Sequence, residues 1–192
     1  MTRLYLVRHG HAAAGWSEHT DPGLDDVGRA EADAMASRLA ELGPLPIVVS
    51  PLQRTRETAS FLERRWDTTA VVDARVGEIP PPPLPLAERS GWLRRIMSRT
   101  WDDQDDHLLT WRAGVVNALS ECAEDTVVVT HFVVINAAIG VATGDQRLVC
   151  RTLANCSVTI FDLAGDELRV VELGEEVART EVQPGVAPVV ER

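Results

Sequence analysis

Short runs of aliphatic and β-branched residues alternate along this chain with stretches whose apolar residues recur at helical spacing, and that alternation restricts the fold more than any other feature. Leu4-Tyr5-Leu6-Val7, Ile47-Val48-Val49 and Thr126 to Thr130 read as buried strands, with a further one at about 70–73. Between the first two, Asp25 is placed to cap a helix carrying Val27, Ala30, Ala34, Leu39 and Leu42, which Gly43-Pro44 ends. Ser50-Pro51 reads as the cap and first turn of a second helix at about 51–65. Two helical stretches follow at about 86–100 and 108–123, joined by the acidic turn Asp102 to Asp106, and another helix is expected near 132–141. The segments 157–163 and 167–173 flank Ala164-Gly165-Asp166, a hairpin signal. Strands alternating with helices predict an α/β domain with a largely parallel sheet. One domain over 1–174 is expected, with an insert at about 79–107, opened by Pro80 to Pro83, folding over the sheet edge as a lid. Residues 175–192 turn polar and proline-punctuated and read as a frayed tail.

The net charge of −10 disfavours nucleic acid and anionic membrane as partners. No stretch approaches the length of a membrane span, and the chain opens on a strand without a signal-peptide pattern. Cys122, Cys150 and Cys156 are odd in number and lack CxxC spacing, so they read as reduced thiols of a cytoplasmic protein.

In so acidic a chain the placement of a few cations carries meaning. The first strand delivers Arg8, His9 and Gly10 at its C-terminal end, the edge where open α/β sheets bind ligands. A guanidinium presents a planar fork to phosphate oxygens. An imidazole beside it is placed as a nucleophile toward the same phosphorus. Arg54 falls in the first turn of a helix after a strand, where free N–H groups also favour an anion. His131 repeats the placement of His9 at the end of a second strand. Alone, each has a plain structural reading, as a surface ion pair or a carbonyl-bonded histidine.

Together the segments LYLVRHG at 4–10, LDDVGRAEA at 24–32, SPLQRTRETA at 50–59, VGEIP at 76–80, VVVTH at 127–131 and LANCSVT at 153–159 resemble the histidine phosphatase superfamily, the phosphoglycerate mutase-like proteins, in that family's order. The resemblance implies a three-layer α/β/α sandwich and a phosphatase that needs no metal or other cofactor. It implies His9 as the nucleophile that forms a phosphohistidine. Arg8, Arg54 and His131 become the residues that hold the phosphoryl oxygens, and Glu78 the acid that protonates the leaving oxygen. Physics agrees with those roles: cations near His9 keep it unprotonated, and a carboxyl beside a dianion holds its proton.

The sequence also departs from the family pattern. Many members carry a carboxylate or Gln after Arg-His-Gly, then Thr or Ser, and an Asn a few residues on; here stand His11, Ala12 and Gly15, so the rim is more apolar. Phe132 replaces a frequent Gly after the second histidine. Asn155 matches a recurrent Asn and reads as structural support. The acidic tail and the insert lack the cationic provision of a mutase, unless Arg89, Arg94 and Arg95 face the pocket. Trp92, Ile96 and Trp101 in the insert either line an apolar pocket or pack the insert down, and packing is the better reading. Two further readings are a metal-dependent phosphoesterase using His9, His11, His131 and an Asp, which Arg8 and Arg54 oppose, and a non-catalytic phosphate-binding module. A small phosphorylated substrate is expected, whether a metabolite, a sugar phosphate or a nucleoside-type phosphate. The Arg8 to Ala12 start also resembles the small members that act on phosphohistidine proteins, although the insert is larger than theirs.

Overall fold

The computed structural model describes residues 1–177. Six strands form one sheet in the order β3-β2-β4-β1-β5-β6. They are β1 (Thr2–Arg8), β2 (Ile47–Val49), β3 (Val71–Val72), β4 (Thr126–Thr130), β5 (Val158–Ala164) and β6 (Glu167–Glu172). β1, β4, β2 and β3 run parallel, and the hairpin β5-β6 joins β1 antiparallel, so the sheet is mixed.

Alternation along the central strands sends side chains to two cores. Leu4, Leu6 and Val128 join Leu119, Ile135 and Phe161 on one face. Tyr5, Val7, Val127 and Val129 join Met35, Ala36 and Leu62 on the other. Helices α1 (Asp26–Leu39) and α2 (Gln53–Trp66) cover the second face. Helices α3 (Leu86–Met97), α4 (Asp106–Ser120) and α5 (Phe132–Thr143) belong to the first, which completes the three-layer sandwich.

Local chemistry sets the element ends. Asp25 caps α1, its side chain accepting from Gly28 N. β3 shrinks to two exposed residues, because at the sheet margin Val71 and Val72 have nothing to bury against. Ser50 does not cap α2; the N-cap is Leu52, with no side-chain cap bond. The Ser50 hydroxyl is committed elsewhere, as described below.

The 79–107 insert contributes α3 and a 3-10 turn at Trp101–Asp103. It is tied down where Trp101 N donates to Gln146 O (2.8 Å) and Leu148 N to Arg99 O (3.0 Å). Trp92, Ile96 and Trp101 are buried in the first core, as the packing reading expects. The segment assigned to the tail divides. Glu175 to Val177 bond to the 152–154 backbone through Ala154 N to Glu175 O (2.7 Å) and Val177 N to Thr152 O (2.8 Å). Residues 178–192 lie outside the described residues.

The start of α1 lies hard against the loop leaving β1. A Cβ on Gly28 would meet His11 O at 2.1 Å, and one on Gly10 would meet Gly28 O at 2.5 Å. Both contacts are backbone, so neither can relax by a rotamer change. Gly28→Ala should therefore destabilise the fold by about 2 kcal/mol or more. Gly114→Ala, in α4 with open space at its Cβ, should stabilise by about 0.5–1 kcal/mol through helix propensity. Urea unfolding of both variants checks the pair.

Candidate active site

The parallel pairing of β1 with β4 brings the two histidines together. Arg8 stands opposite Thr130, so the next residues, His9 and His131, leave neighbouring strands side by side. His9 N donates to Thr130 O (3.0 Å), and the imidazole rings lie edge to face with centroids 5.3 Å apart. Both side chains are buried.

Arg54, on the first turn of α2, reaches between them. Its Nε donates to His9 Nε2 (3.1 Å) and its Nη2 to His131 Nδ1 (3.2 Å). A guanidinium only donates, so both of these ring nitrogens carry lone pairs. The other nitrogens agree: His9 Nδ1 donates to Gly10 O (2.7 Å), and His131 Nε2 donates to Ser50 Oγ (2.7 Å). The bonding thus fixes both tautomers, and His9 presents an unprotonated Nε2 toward the guanidinium. Thr58 braces the arrangement, accepting from Gly10 N (3.1 Å) while donating to Arg54 O (2.7 Å).

Arg8 is positioned from the other side. It donates through Nη1 to Leu153 O, and its guanidinium lies over the Phe132 ring, 5.1 Å from the centroid. Phe132 opens α5, whose N-cap, His131, makes no side-chain cap bond. The cap residue's side chain therefore takes up none of the first amides of α5.

Glu78 completes the cluster. Thr130 Oγ1 donates to Val76 O (2.6 Å) and Trp111 Nε1 to Gly77 O (3.3 Å), which ties the 76–78 segment to the end of β4 and to α4. Glu78 Oε2 then lies 3.4 Å from His131 Nδ1 and 3.5 Å from Arg54 Nη2, with only a tenth of its side chain exposed. The structure therefore brings all five residues singled out in the sequence into one pocket or onto its wall: Arg8, His9, Arg54 and Glu78 line it, and His131 lies directly behind.

Burial governs the electrostatics. His9 is held well below the ordinary histidine value of 6.5, first by burial and then by Arg54 and Arg8. His131 is lowered by burial and by Arg54. Burial raises Glu78 above the usual carboxylate value, outweighing the pull of Arg54 and Arg8 in the other direction. Arg8 itself is lowered to about 10, chiefly by burial.

The pocket rim holds what the sequence did not mark. Leu93 and Met97, one turn apart on α3, line the pocket, and Leu93 is at the same time buried in the first core with Trp92 and Ile96. Trp16, from the β1–α1 loop, also lines it and stacks on Trp92 (centroids 6.3 Å, interplanar angle 16°). Asn155, read from the sequence as structural support, lines the pocket, and its Oδ1 is buried without a hydrogen-bond partner. His11 lines the pocket as well, its Nδ1 bonded to Asp25 Oδ2 (2.7 Å). None of Arg89, Arg94 and Arg95 lines it, and the last two are exposed.

The site is thus a buried pair of histidines threaded by a guanidinium, with a carboxyl of raised pKa alongside. The model of the histidine phosphatase superfamily (branch 1) matches residues 4–176, and the chain belongs to that superfamily. A probable phosphoglycerate mutase GpmB from Escherichia fergusonii is 27% identical over 186 residues, covering 84% of this chain and 85% of that protein. Two solved structures share the fold. A mycobacterial glucosyl-3-phosphoglycerate phosphatase has a TM-score of 0.69 at 21% identity, covering 93% of this chain and 100% of that one. Bacillus stearothermophilus YhfR has a TM-score of 0.73 at 20% identity, covering 93% and 98%.

The Ser50 hydroxyl is the acceptor for the buried His131 Nε2–H. Ser50→Ala removes it and leaves that donor unsatisfied, at a cost of about 1–3 kcal/mol. Urea unfolding should show the loss.

Proposed function

We propose that the protein is a phosphatase that hydrolyses a phosphomonoester, or a phosphoramidate such as a phosphohistidine side chain, through a phosphohistidine on His9. The observation that carries this reading is the fixed tautomer of His9: Nδ1 donates to Gly10 O, and the Nε2 lone pair faces the site.

In the first step His9 Nε2 attacks phosphorus while the bond from phosphorus to the leaving oxygen breaks. Glu78 gives its proton to that oxygen. Arg8, Arg54 and the α5 amides receive the non-bridging oxygens, where charge is concentrated in the transition state, and His131, whose Nδ1 accepts from Arg54, orients that guanidinium toward them. In the second step Glu78, now a carboxylate, takes a proton from water as the water oxygen attacks phosphorus. The bond to Nε2 breaks, releasing phosphate and restoring His9.

Two alternatives have less support. Transfer of the mutase kind needs provision for a second anionic group, and no arginine of α3 lines the pocket. A metal centre would use His9, Glu78 and His131, whose ligand atoms lie within 4.8 Å of one another. It would not use the His11-and-aspartate set, because His11 is turned to Asp25. Against it, Arg54 already donates to one nitrogen of each histidine, so a cation there would meet a guanidinium at contact distance. Among the described residues no helix is long and apolar enough to cross a membrane; a cytoplasmic location remains part of the proposal.

Turnover of an aryl phosphate should withstand EDTA and vanish in His9→Ala. Loss of turnover with EDTA alone would point to the metal reading. Phosphate binding without turnover would point to a binding module.

The pH profile follows from the two shifts. The productive form holds His9 unprotonated and Glu78 protonated. With His9 held below 6.5, kcat/KM should persist as pH falls through that value. It should decline on the alkaline side as Glu78 ionises. Glu78→Gln should remove the alkaline decline and lower the rate on an alkyl phosphate by about 10²–10⁴-fold. The loss should be smaller for an aryl ester, whose oxygen leaves without a proton.

A further inference from the structure

The pocket wall beyond the phosphate-holding residues names the kind of alcohol that leaves. Ala12, Ala14 and Trp16 come from the β1–α1 loop, Leu93 and Met97 from α3, and Phe132 from α5. With Pro22 and Val133 they make up the apolar part of the lining. The polar exceptions are few. His11 is engaged with a carboxylate, Asp25, and Asn155 is uncharged. The cations that line the pocket are Arg8 and Arg54, both of which the phosphoryl group uses. A substrate carrying a second anionic group close to its phosphate would find no arginine or lysine for it beyond the two that hold the phosphoryl group, and would place it against apolar carbon in a chain of net charge −10.

We infer that the physiological substrate is the phosphomonoester of an uncharged, largely apolar alcohol or phenol, whose hydrocarbon part lies against Trp16, Leu93, Met97 and Phe132. The inference rests on the phosphatase reading above and narrows it to a substrate class. Trp16 supplies the widest apolar surface. Its stack on the buried Trp92 fixes the β1–α1 loop against α3, so the two walls of the slot are held at a set separation before substrate arrives. Pre-organised apolar walls reward each buried methylene of a ligand without a cost for ordering the protein.

The test is a series of monoalkyl phosphates (ethyl, butyl and hexyl) set beside 3-phosphoglycerate and phosphoserine, with the wild-type protein. The expected result is a rise in kcat/KM of about threefold per added methylene, with both charged substrates slower than butyl phosphate. A flat response to chain length, or 3-phosphoglycerate turned over fastest, overturns the inference and leaves the phosphatase reading intact. No turnover of any ester overturns both. Met97→Arg supplies the missing cation on the same wall. It should flatten the chain-length response and raise the 3-phosphoglycerate to hexyl phosphate ratio by about tenfold. An unchanged ratio in a variant that still hydrolyses ethyl phosphate would count against the assigned wall.

Discussion

The site depends on the register between β1 and β4. Arg8 pairs with Thr130, and the residue after each strand is a histidine. Parallel neighbours leave the sheet in the same direction, so the two imidazoles arrive together at one edge without any loop having to fold back. A slip of one residue would turn His9 or His131 to the opposite face. The register is secured from both faces of the sheet, with Leu6 and Val128 in one core and Val7 and Val129 in the other. The hydrophobic alternation that makes the fold therefore also sets the spacing of the histidine pair.

That spacing creates an electrostatic problem, and Arg54 is central to it. Two arginines, two histidines and a carboxyl are buried in one place, and burial disfavours every charged form. The structure resolves this by differentiation. The histidines stay neutral and accept from Arg54. Glu78 is pushed toward its protonated form, and Arg8 is supported by a carbonyl and an aromatic face. The net result is a positive pocket in an acidic chain, which suits the phosphoryl group of the proposed reaction. Ser50 and Thr58, neither of which lines the pocket, are what keep His131 and the α2 turn aligned for that exchange.

Much of this was legible in the residues. The strands, the helices and the placement of Arg8, His9 and His131 at strand ends, with Arg54 on the first turn of a helix that follows a strand, follow from periodicity and from the rule that ligands bind where parallel strands terminate. Glu78 was legible only through family resemblance. Its place depends on Thr130 holding Val76 O and on Trp111 holding Gly77 O, contacts between residues 54 and 34 positions apart. Ser50 looked like a helix cap because capping and histidine support ask for the same small hydroxyl, and only tertiary structure decides between them. Leu93 and Met97 were hidden for a related reason. Helical spacing shows that 92, 93, 96 and 97 share a broad buried face, but not that 93 and 97 also reach the pocket. Asn155 could not be told from a supporting residue without seeing that its side-chain oxygen lacks a partner.

The central claim, that His9 carries the phosphoryl group during turnover, is tested most directly by trapping it. The protein would be mixed with an aryl phosphate, quenched rapidly into alkali, where phosphohistidine survives, and mapped by peptide mass spectrometry. The account predicts one phosphoryl group on the peptide containing His9, formed at a rate no slower than turnover and lost from His9→Ala. A phosphoryl group on another residue, or steady hydrolysis with no phosphorylated protein at any time, would contradict it.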